Sequence, residues 1–409
     1  MTIQEFSLQL SEFRKQKKSN DGLSFFKQNK HLFSDDDIRN DSYTIFNMIY
    51  FLKETNNCKY VFQFLSQYNI NILNLNKPVA TSLSWCLLKK DFEFDVKKYL
   101  MIFKDLISVL ERYEEKSPIS LLLKEGIQFA ENNKQLENKN MFLIEFLSIF
   151  NPYFLMENEK YLSSKEYYYL KLSKAYREIK KYAKSISIAE EGLRKIQYFH
   201  KNTGIWLKRD IALCKIELNK LDEALMILEK LYEIKKDWFF LYDMAKIYYQ
   251  KNQLDKAFDN LIYIMNLNIP IKSKLKSIFL LGEILEKQNS DFALKHFIFL
   301  ALFYQKQGWN IKKNICEKFQ NSELNGYDYN ELFNELKIFW EESDKSLMCG
   351  EISKILHDNE KGIDGFIKAD KDYYFSLPRK NKLSNLINVG VKVKYKANNG
   401  KAFIQKIIS

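Results

Sequence analysis

A chain of 409 residues with 46% hydrophobic and 28% charged residues has the balance of a soluble globular protein and length for two or three domains, which excludes a disordered chain. The formal net charge of +12 partly reflects Lys- and Asn-rich coding of the kind an AT-rich genome produces, so its distribution is more telling than its size. Five scattered cysteines without a C-x-x-C pair, a start without a basic stretch and apolar core, and no apolar run near about 18 residues argue against disulfides, structural zinc, a leader and a membrane span, and for a cytoplasmic protein.

Residues 1–160 read as helix after helix. Ile3, Phe6, Leu10 and Phe13 form an apolar stripe at helical spacing, and Tyr43 to Leu52 and Val61 to Tyr68 follow as a pair. Pro78 suits the first turn of a helix running through Ser82, Trp85 and Leu88, with Ala80, Ser82 and Ser84 as a thin side for close packing. Asp95 to Arg112, Pro118 to Ala130 and Met141 to Phe150 complete the run before Asn151-Pro152. Phe25, Phe26, Phe62, Phe64 and Trp85 fall on helical stripes, as core packing requires, rather than marking a ligand pocket.

Between residues 161 and 320 one unit recurs. Leu172, Ser173 and Tyr176 precede Tyr182, Ser185, Ile186, Gly192 and Leu193; Ile211, Ala212 and Lys215 precede Leu221, Ala224, Leu225 and Leu231; Leu241, Met244, Ala245 and Tyr248 precede Leu254, Ala257, Phe258 and Ile264. Gly282 and Ala293 mark a fourth. Ala224 to Ala257 is 33 residues and Ala257 to Ala293 is 36, while Ser185 to Ala224 is 39 because a stretch around His200 to Gly204 is inserted. Two helices approach closely only where a small residue faces the partner backbone, so Ser173, Ser185, Ala212, Ala224, Ala245, Ala257, Gly282 and Ala293 are the expected packing positions. Lys180-Lys181, Asn219-Lys220, Asn252-Gln253 and Gln288 to Ser290 break the apolar period where loops belong. The block resembles the tetratricopeptide repeat, whose period is about 34 residues. It departs from that family in lacking the helix-ending Pro and in placing Lys215 where an aromatic is usual. The resemblance implies a helical solenoid that holds a protein or peptide, and residues 1–160 read as degenerate hairpins of the same kind.

Residues 321–349 form a cap and linker. Asp328 to Ser346 is amphipathic, with Leu332, Leu336, Phe339 and Trp340 on one face and Glu335, Glu341 and Glu342 on the other, and such a helix covers the apolar end of a repeat array. Ser343 to Cys349 is the expected linker.

From Gly350 the period switches to alternation. Five of the chain's 12 glycines lie in residues 350–409, with expected strands at Glu351 to Leu356, Gly365 to Ala369, Tyr373 to Leu377, Val391 to Ala397 and Ala402 to Ile407. Twelve basic residues against six acidic put a surplus of six, half the chain's net charge, in this segment, which therefore attracts polyanions. Five short strands in so few residues suggest an OB-type barrel. Lys361-Gly362-Ile363-Asp364-Gly365-Phe366-Ile367, Asp372 to Leu377, Gly390 to Val393 and Asn399 to Ala402 resemble the strands of the cold-shock domain, an OB-fold that binds single-stranded RNA or DNA. The resemblance implies Phe366 and Tyr374 as the base-stacking pair, with Lys361, Lys368, Arg379, Lys380 and Lys382 on the nucleic-acid backbone. Departures are a first strand, Gly350 to Leu356, without aromatics, an extra residue at Ile363-Asp364, and Ser376 and Leu377 in place of a histidine and an aromatic.

The chain contains no G-x-x-x-x-G-K-[ST], H-E-x-x-H or G-x-S-x-G element, and His31, His200, His296 and His357 stand apart from one another and from cysteine. No catalytic residue, cofactor or metal is expected. The expected architecture is mainly α, an α-solenoid of tetratricopeptide-like hairpins ending in a small five-stranded OB or cold-shock-like β-barrel. The expected function is a non-enzymatic adaptor joining a protein or peptide to single-stranded nucleic acid, RNA favoured, in a combination that resembles multidomain proteins of bacterial antiphage and conflict systems. Two alternatives stand beside it: a subunit of an enzyme or toxin complex whose barrel docks protein, and a peptide-sensing repeat regulator. The oligomeric state is not legible.

Overall fold

A computed structural model of the chain describes residues 1–88, 95–113, 118–133, 136–320, 324, 326–345, 348–398 and 401–408. The described chain is mainly α and ends in a five-stranded barrel, and it separates into two compact units, 1–227 and 228–409.

The first unit holds α1 (Ile3–Lys15), α2 (Ser19–Asn29), α3 (Asp35–Asn40), α4 (Ser42–Glu54), α5 (Val61–Gln67), α6 (Lys77–Leu87), α7 (Val96–Glu111), α8 (Ile119–Asn132), α9 (Lys139–Leu147), α10 (Ser164–Glu178), α11 (Tyr182–Lys195) and α12 (Gly204–Glu217); α13 (Leu221–Ile234) spans the division. The helices start where side chains satisfy their free N–H groups: Thr2 with Glu5, Ser34 with Asp37, and Ser163 with Glu166 form capping boxes. One core runs through the unit and includes Phe6, Phe51, Phe103 and Phe146. Phe26, Phe62 and Phe64 lie in it and Phe25 packs on it, but Trp85 is 43% exposed. The buried residues of α6 include Ala80, Leu83, Ser84 and Leu87, and Trp85 sits off that stripe, which corrects its reading as a core residue.

A shared turn shows why the chain folds as successive hairpins. Lys180, Asn219, Asn252 and Asn289 each take a left-handed backbone with φ between 53° and 62°. In each case the next N–H reaches back five residues to a helix carbonyl, Lys181 to Tyr176, Lys220 to Lys215, Gln253 to Tyr248 and Ser290 to Leu285, at 2.8–2.9 Å. This is the bond that closes a helix C-terminus, and Asn tolerates the conformation it needs. The same bond follows α1, α4 and α5, with Lys17, Asn56 and Asn69 in the left-handed region.

All eight small residues of the repeat block are buried. At Ser173 and Ser185 the approach of α10 and α11 is close enough for Ser185 Oγ to donate to the Ser173 carbonyl at 2.9 Å. Asp210, on α12, accepts from Ser173 Oγ at 3.2 Å and from Arg177 Nε at 3.0 Å, so a polar network lies inside the packed hairpin. The inserted stretch is anchored by the buried Glu166, whose carboxylate accepts the N–H of His200 at 3.0 Å and the hydroxyl of Thr203.

The second unit holds α14 (Trp238–Gln250), α15 (Leu254–Met265), α16 (Ile271–Lys287), α17 (Phe292–Lys306), α18 (Lys313–Cys316) and α19 (Tyr329–Ser343). α14 pairs with α15 and α16 with α17. A Cβ at Gly282 would meet the Phe297 ring at 2.8 Å, so any larger residue there forces that buried ring to shift. Gly282→Val is expected to cost about 1–3 kcal/mol by overpacking, read as a lower denaturant midpoint at unchanged slope. α19 packs on α15 and α17 and buries Leu332, Leu336 and Trp340; its expected end at Ser346 lies outside the described residues. No helix among the described residues is long and apolar enough to cross a membrane.

The barrel is built from β1 (Met348–Asn359), β2 (Gly362–Lys368), β3 (Asp372–Pro378), β4 (Lys392–Asn398) and β5 (Lys401–Ile408), joined in the order β1-β2-β3-β5-β4 and closed by β1 against β4. Strand β1 begins at Met348, which pairs with Tyr395, so the barrel starts inside the stretch expected to be linker. Residues 346 and 347 of that linker, and residues 399 and 400 of the last cold-shock-like segment, lie outside the described residues. Two register shifts in β1, between Ile352 and Lys354 and between Ile355 and His357, let one strand bend to serve both neighbours. Inside lie Ile352, Ile363, Ile367, Phe375, Val393 and Tyr395 among others. A Cβ at Gly365 would lie 2.0 Å from the Lys354 carbonyl oxygen, a contact with backbone that no rotamer relieves. Gly365→Ala is therefore expected to loosen the β1–β2 pairing, seen as lost hydrogen-exchange protection in the barrel with the helices unaffected.

Candidate nucleic-acid interface

Strict alternation in β2 and β3 decides what faces outward. Ile363, Gly365 and Ile367 are buried, as are Tyr373, Phe375 and Leu377, which leaves Asp364, Phe366 and Lys368 and then Tyr374 and Ser376 on the outer face. The antiparallel register sets Phe366 directly opposite Tyr374. Their rings meet edge to face, with centroids 5.9 Å apart and planes at 70°, and both side chains are half-buried. Each ring thus keeps accessible surface while its partner limits its rotamers.

Two cations extend this pair across the sheet. The shifted register of β1 places Lys354 opposite Phe366, and the short parallel pairing of β3 with β5 places Lys401 opposite Tyr374. Both lysines are exposed. The resulting row reads Lys354, Phe366, Tyr374, Lys401 across four strands: two aromatic rings between two ammonium groups. Two residues along β5 from Lys401, Phe403 is 53% exposed. Local sequence patterning did not place Lys354 or Lys401 beside the aromatic pair, because one reaches the row through a register shift and the other through a pairing between strands distant in sequence.

The remaining basic residues divide. Lys368 is exposed at the far end of β2, opposite Asp372. Lys361, Arg379, Lys380 and Lys382 gather at the other end of the β2–β3 hairpin, where Gly362 pairs with Pro378 and the Arg379 N–H donates to the Lys361 carbonyl at 3.2 Å. Lys361, Lys380 and Lys382 are exposed. Arg379 differs: its guanidinium pairs with Asp358 and donates through Nε to the Asn359 carbonyl at 3.0 Å, so it ties β3 to the end of β1. The face also carries an acid, since Asp364 sits beside Phe366 with His357 Nδ1 3.1 Å from its carboxylate. Among the described residues no group of three or more His, Cys, Asp or Glu side chains is placed to hold a metal.

No protein-family model matches this chain, and no curated protein matches it. Among solved structures the chain is similar to the human IFIT1 dimer with PPP-AAAA, at 16% identity over 75% of this chain and 78% of that one with a TM-score of 0.31. It is also similar to the human IFIT1 dimer with m7Gppp-AAAA, at 14% identity over 83% and 90% with a TM-score of 0.33. Superpositions that loose carry no argument about what this chain binds.

Proposed function

We propose that the chain is a cytoplasmic, non-enzymatic adaptor that binds single-stranded nucleic acid, RNA favoured, on an OB-type, cold-shock-like C-terminal barrel and a protein or peptide on its tetratricopeptide-like hairpins. The observation that carries the reading is the Lys354–Phe366–Tyr374–Lys401 row on the outer sheet. Flat rings accept bases of any sequence and flanking ammonium groups meet the phosphates between them. The strand order β1-β2-β3-β5-β4, closing on β1, supports an OB-type barrel. A tether between two weak sites raises the effective concentration of each partner for the other, so moderate affinities suffice for a joint complex.

A second reading, a barrel that docks protein, is favoured by one observation: Leu386 and Val389 are 59% and 61% exposed in the segment between β3 and β4. The two readings part on salt. Each phosphate contact contributes a slope of about −0.7 in log affinity against log salt for single strands. Titrating labelled poly-U and poly-dT into the full chain over a range of ionic strength is expected to give affinity that falls steeply with salt, with the RNA bound more tightly. Salt-independent binding, or none to either polymer, would remove the nucleic-acid reading. Lys354→Gln and Lys401→Gln are each expected to flatten the slope by about one phosphate's worth.

A further inference from the structure

A second aromatic and cationic site lies within the helices of the second unit. A cleft of about 250 Å³ opens between α14, α16, α17 and the segment leading into α18. Tyr242, Phe279 and Tyr304 form its walls and Lys276, Lys312 and Asn314 stand at its mouth. Tyr304 is buried, Tyr242 and Phe279 are half-buried, and the three mouth residues are exposed. Lys312 Nζ hangs 6.0 Å from the centroid of the Tyr304 ring, which brings its charge over the aromatic wall. Among the described residues neither Lys276 nor Lys312 has a carboxylate within ion-pair distance, and no carboxylate lines the cleft. In this unit Lys295 pairs with Glu335, Lys318 with Glu286 and Lys345 with Asp259, while Lys272, Lys287 and Lys306, like Lys312, stand over aromatic rings. What sets the cleft apart is its lining: three aromatic rings and two lysines together, with no carboxylate among them.

Size narrows the ligand. Pockets for drug-sized molecules run to roughly 300–1,000 Å³, so this cleft takes one flat ring and leaves its charged substituent at the rim. Burial, and after it the nearby carboxylates of Asp243 and Glu283, push the Tyr242 phenol up to about 12, so it stays a neutral hydroxyl that can donate or accept. The rings offer stacking faces, the two ammonium groups offer charge-assisted hydrogen bonds to phosphate, and the Asn314 amide offers a donor and an acceptor to a base edge. We propose that this cleft binds a single nucleotide, its base between the aromatic walls and its phosphate on Lys276 and Lys312. The nucleotide could be free or the end of a strand, and the chemistry is shared. The proposal does not depend on the barrel binding nucleic acid.

The test is equilibrium dialysis of the full chain against AMP, GMP, CMP and UMP, with inorganic phosphate and phosphotyrosine as competitors. The expected result is saturable binding of at least one mononucleotide, weakened about tenfold by Lys276→Gln and again by Lys312→Gln, as loss of one charge-assisted hydrogen bond implies. Binding should survive Phe366→Ala with Tyr374→Ala, which separates this cleft from the barrel. A parallel arm compares short oligonucleotides with and without a 5′-phosphate: tighter binding of the phosphorylated end assigns the cleft to strand termini, and equal binding assigns it to the free nucleotide. No saturable binding of any mononucleotide overturns the proposal. Binding lost in the barrel variant but kept in both lysine variants overturns it, and so does stronger competition by phosphotyrosine, which would make the occupant a modified peptide.

Discussion

Replacing Phe366 and Tyr374 by Ala should weaken binding of single-stranded RNA by roughly 5- to 150-fold for each ring that holds a base, since stacking is worth about 1–3 kcal/mol per base. Both residues lie on the outer face and are half-buried, outside the barrel core of Ile352, Ile367, Phe375 and Val393, so their loss leaves that core intact. The two side chains lean on each other at 5.9 Å, so removing one frees its partner's rotamers, and the double variant need not equal the sum of the singles. Tyr374→Phe keeps the π face and should retain near-native affinity. The salt slope is the internal control: a stacking variant lowers affinity at every ionic strength without changing the slope, whereas Lys401→Gln changes the slope. Fluorescence anisotropy of a labelled oligouridine on the full chain reads both. Unchanged affinity in the double variant would show that the aromatic pair is not the platform.

What local pattern can encode was legible in the sequence. The helical hairpins announced themselves through small residues at buried positions and through Asn at turns, and both signals act within one or two helices. The five strands were legible from alternation, each within a few residues of its position in the structure. Contacts set by long-range register were not. Lys401 reaches Tyr374 only because β5 pairs in parallel with β3, and Lys354 reaches Phe366 only because β1 shifts register before it. Arg379 looked like a free cation in a basic run, and nothing nearby in sequence signals that Asp358, on another strand, neutralises it. Asp210 inside the α10–α12 packing was missed for the same reason: its partners Ser173 and Arg177 lie more than 30 residues upstream. Charge composition alone therefore marked a basic segment without showing which of its cations are already paired.

The second large effect expected is acid destabilisation at His296, which the sequence marked only as an isolated histidine. The ring is fully buried between α17 and α19. Trp340 Nε1 donates to its Nε2 at 2.9 Å, and its Nδ1 lies 2.7 Å from the Phe292 carbonyl. An indole N–H can only donate and a carbonyl can only accept, so the ring must be neutral with its proton on Nδ1. A second proton on Nε2 would face the indole N–H and strand a charge away from water, and burial accordingly holds the imidazole down to about 4. An unfolded histidine titrates near 6.5. Between those values the unfolded state holds the extra proton, so stability falls as pH drops from about 6.5 to about 4, by about 3 kcal/mol in all. Below that window the loss is complete, and above it the contribution is fully present. His296→Gln can supply the same acceptor and donor without titrating, so its stability should depend less steeply on pH across this range. Urea unfolding of wild type and variant at pH 7, 5.5 and 4 tests this, with the difference between them expected to shrink by about 3 kcal/mol on acidification. Parallel pH dependence in the two proteins, or an imidazole resonance titrating near 6.5 in the folded chain, would show that α19 is not held by a neutral histidine.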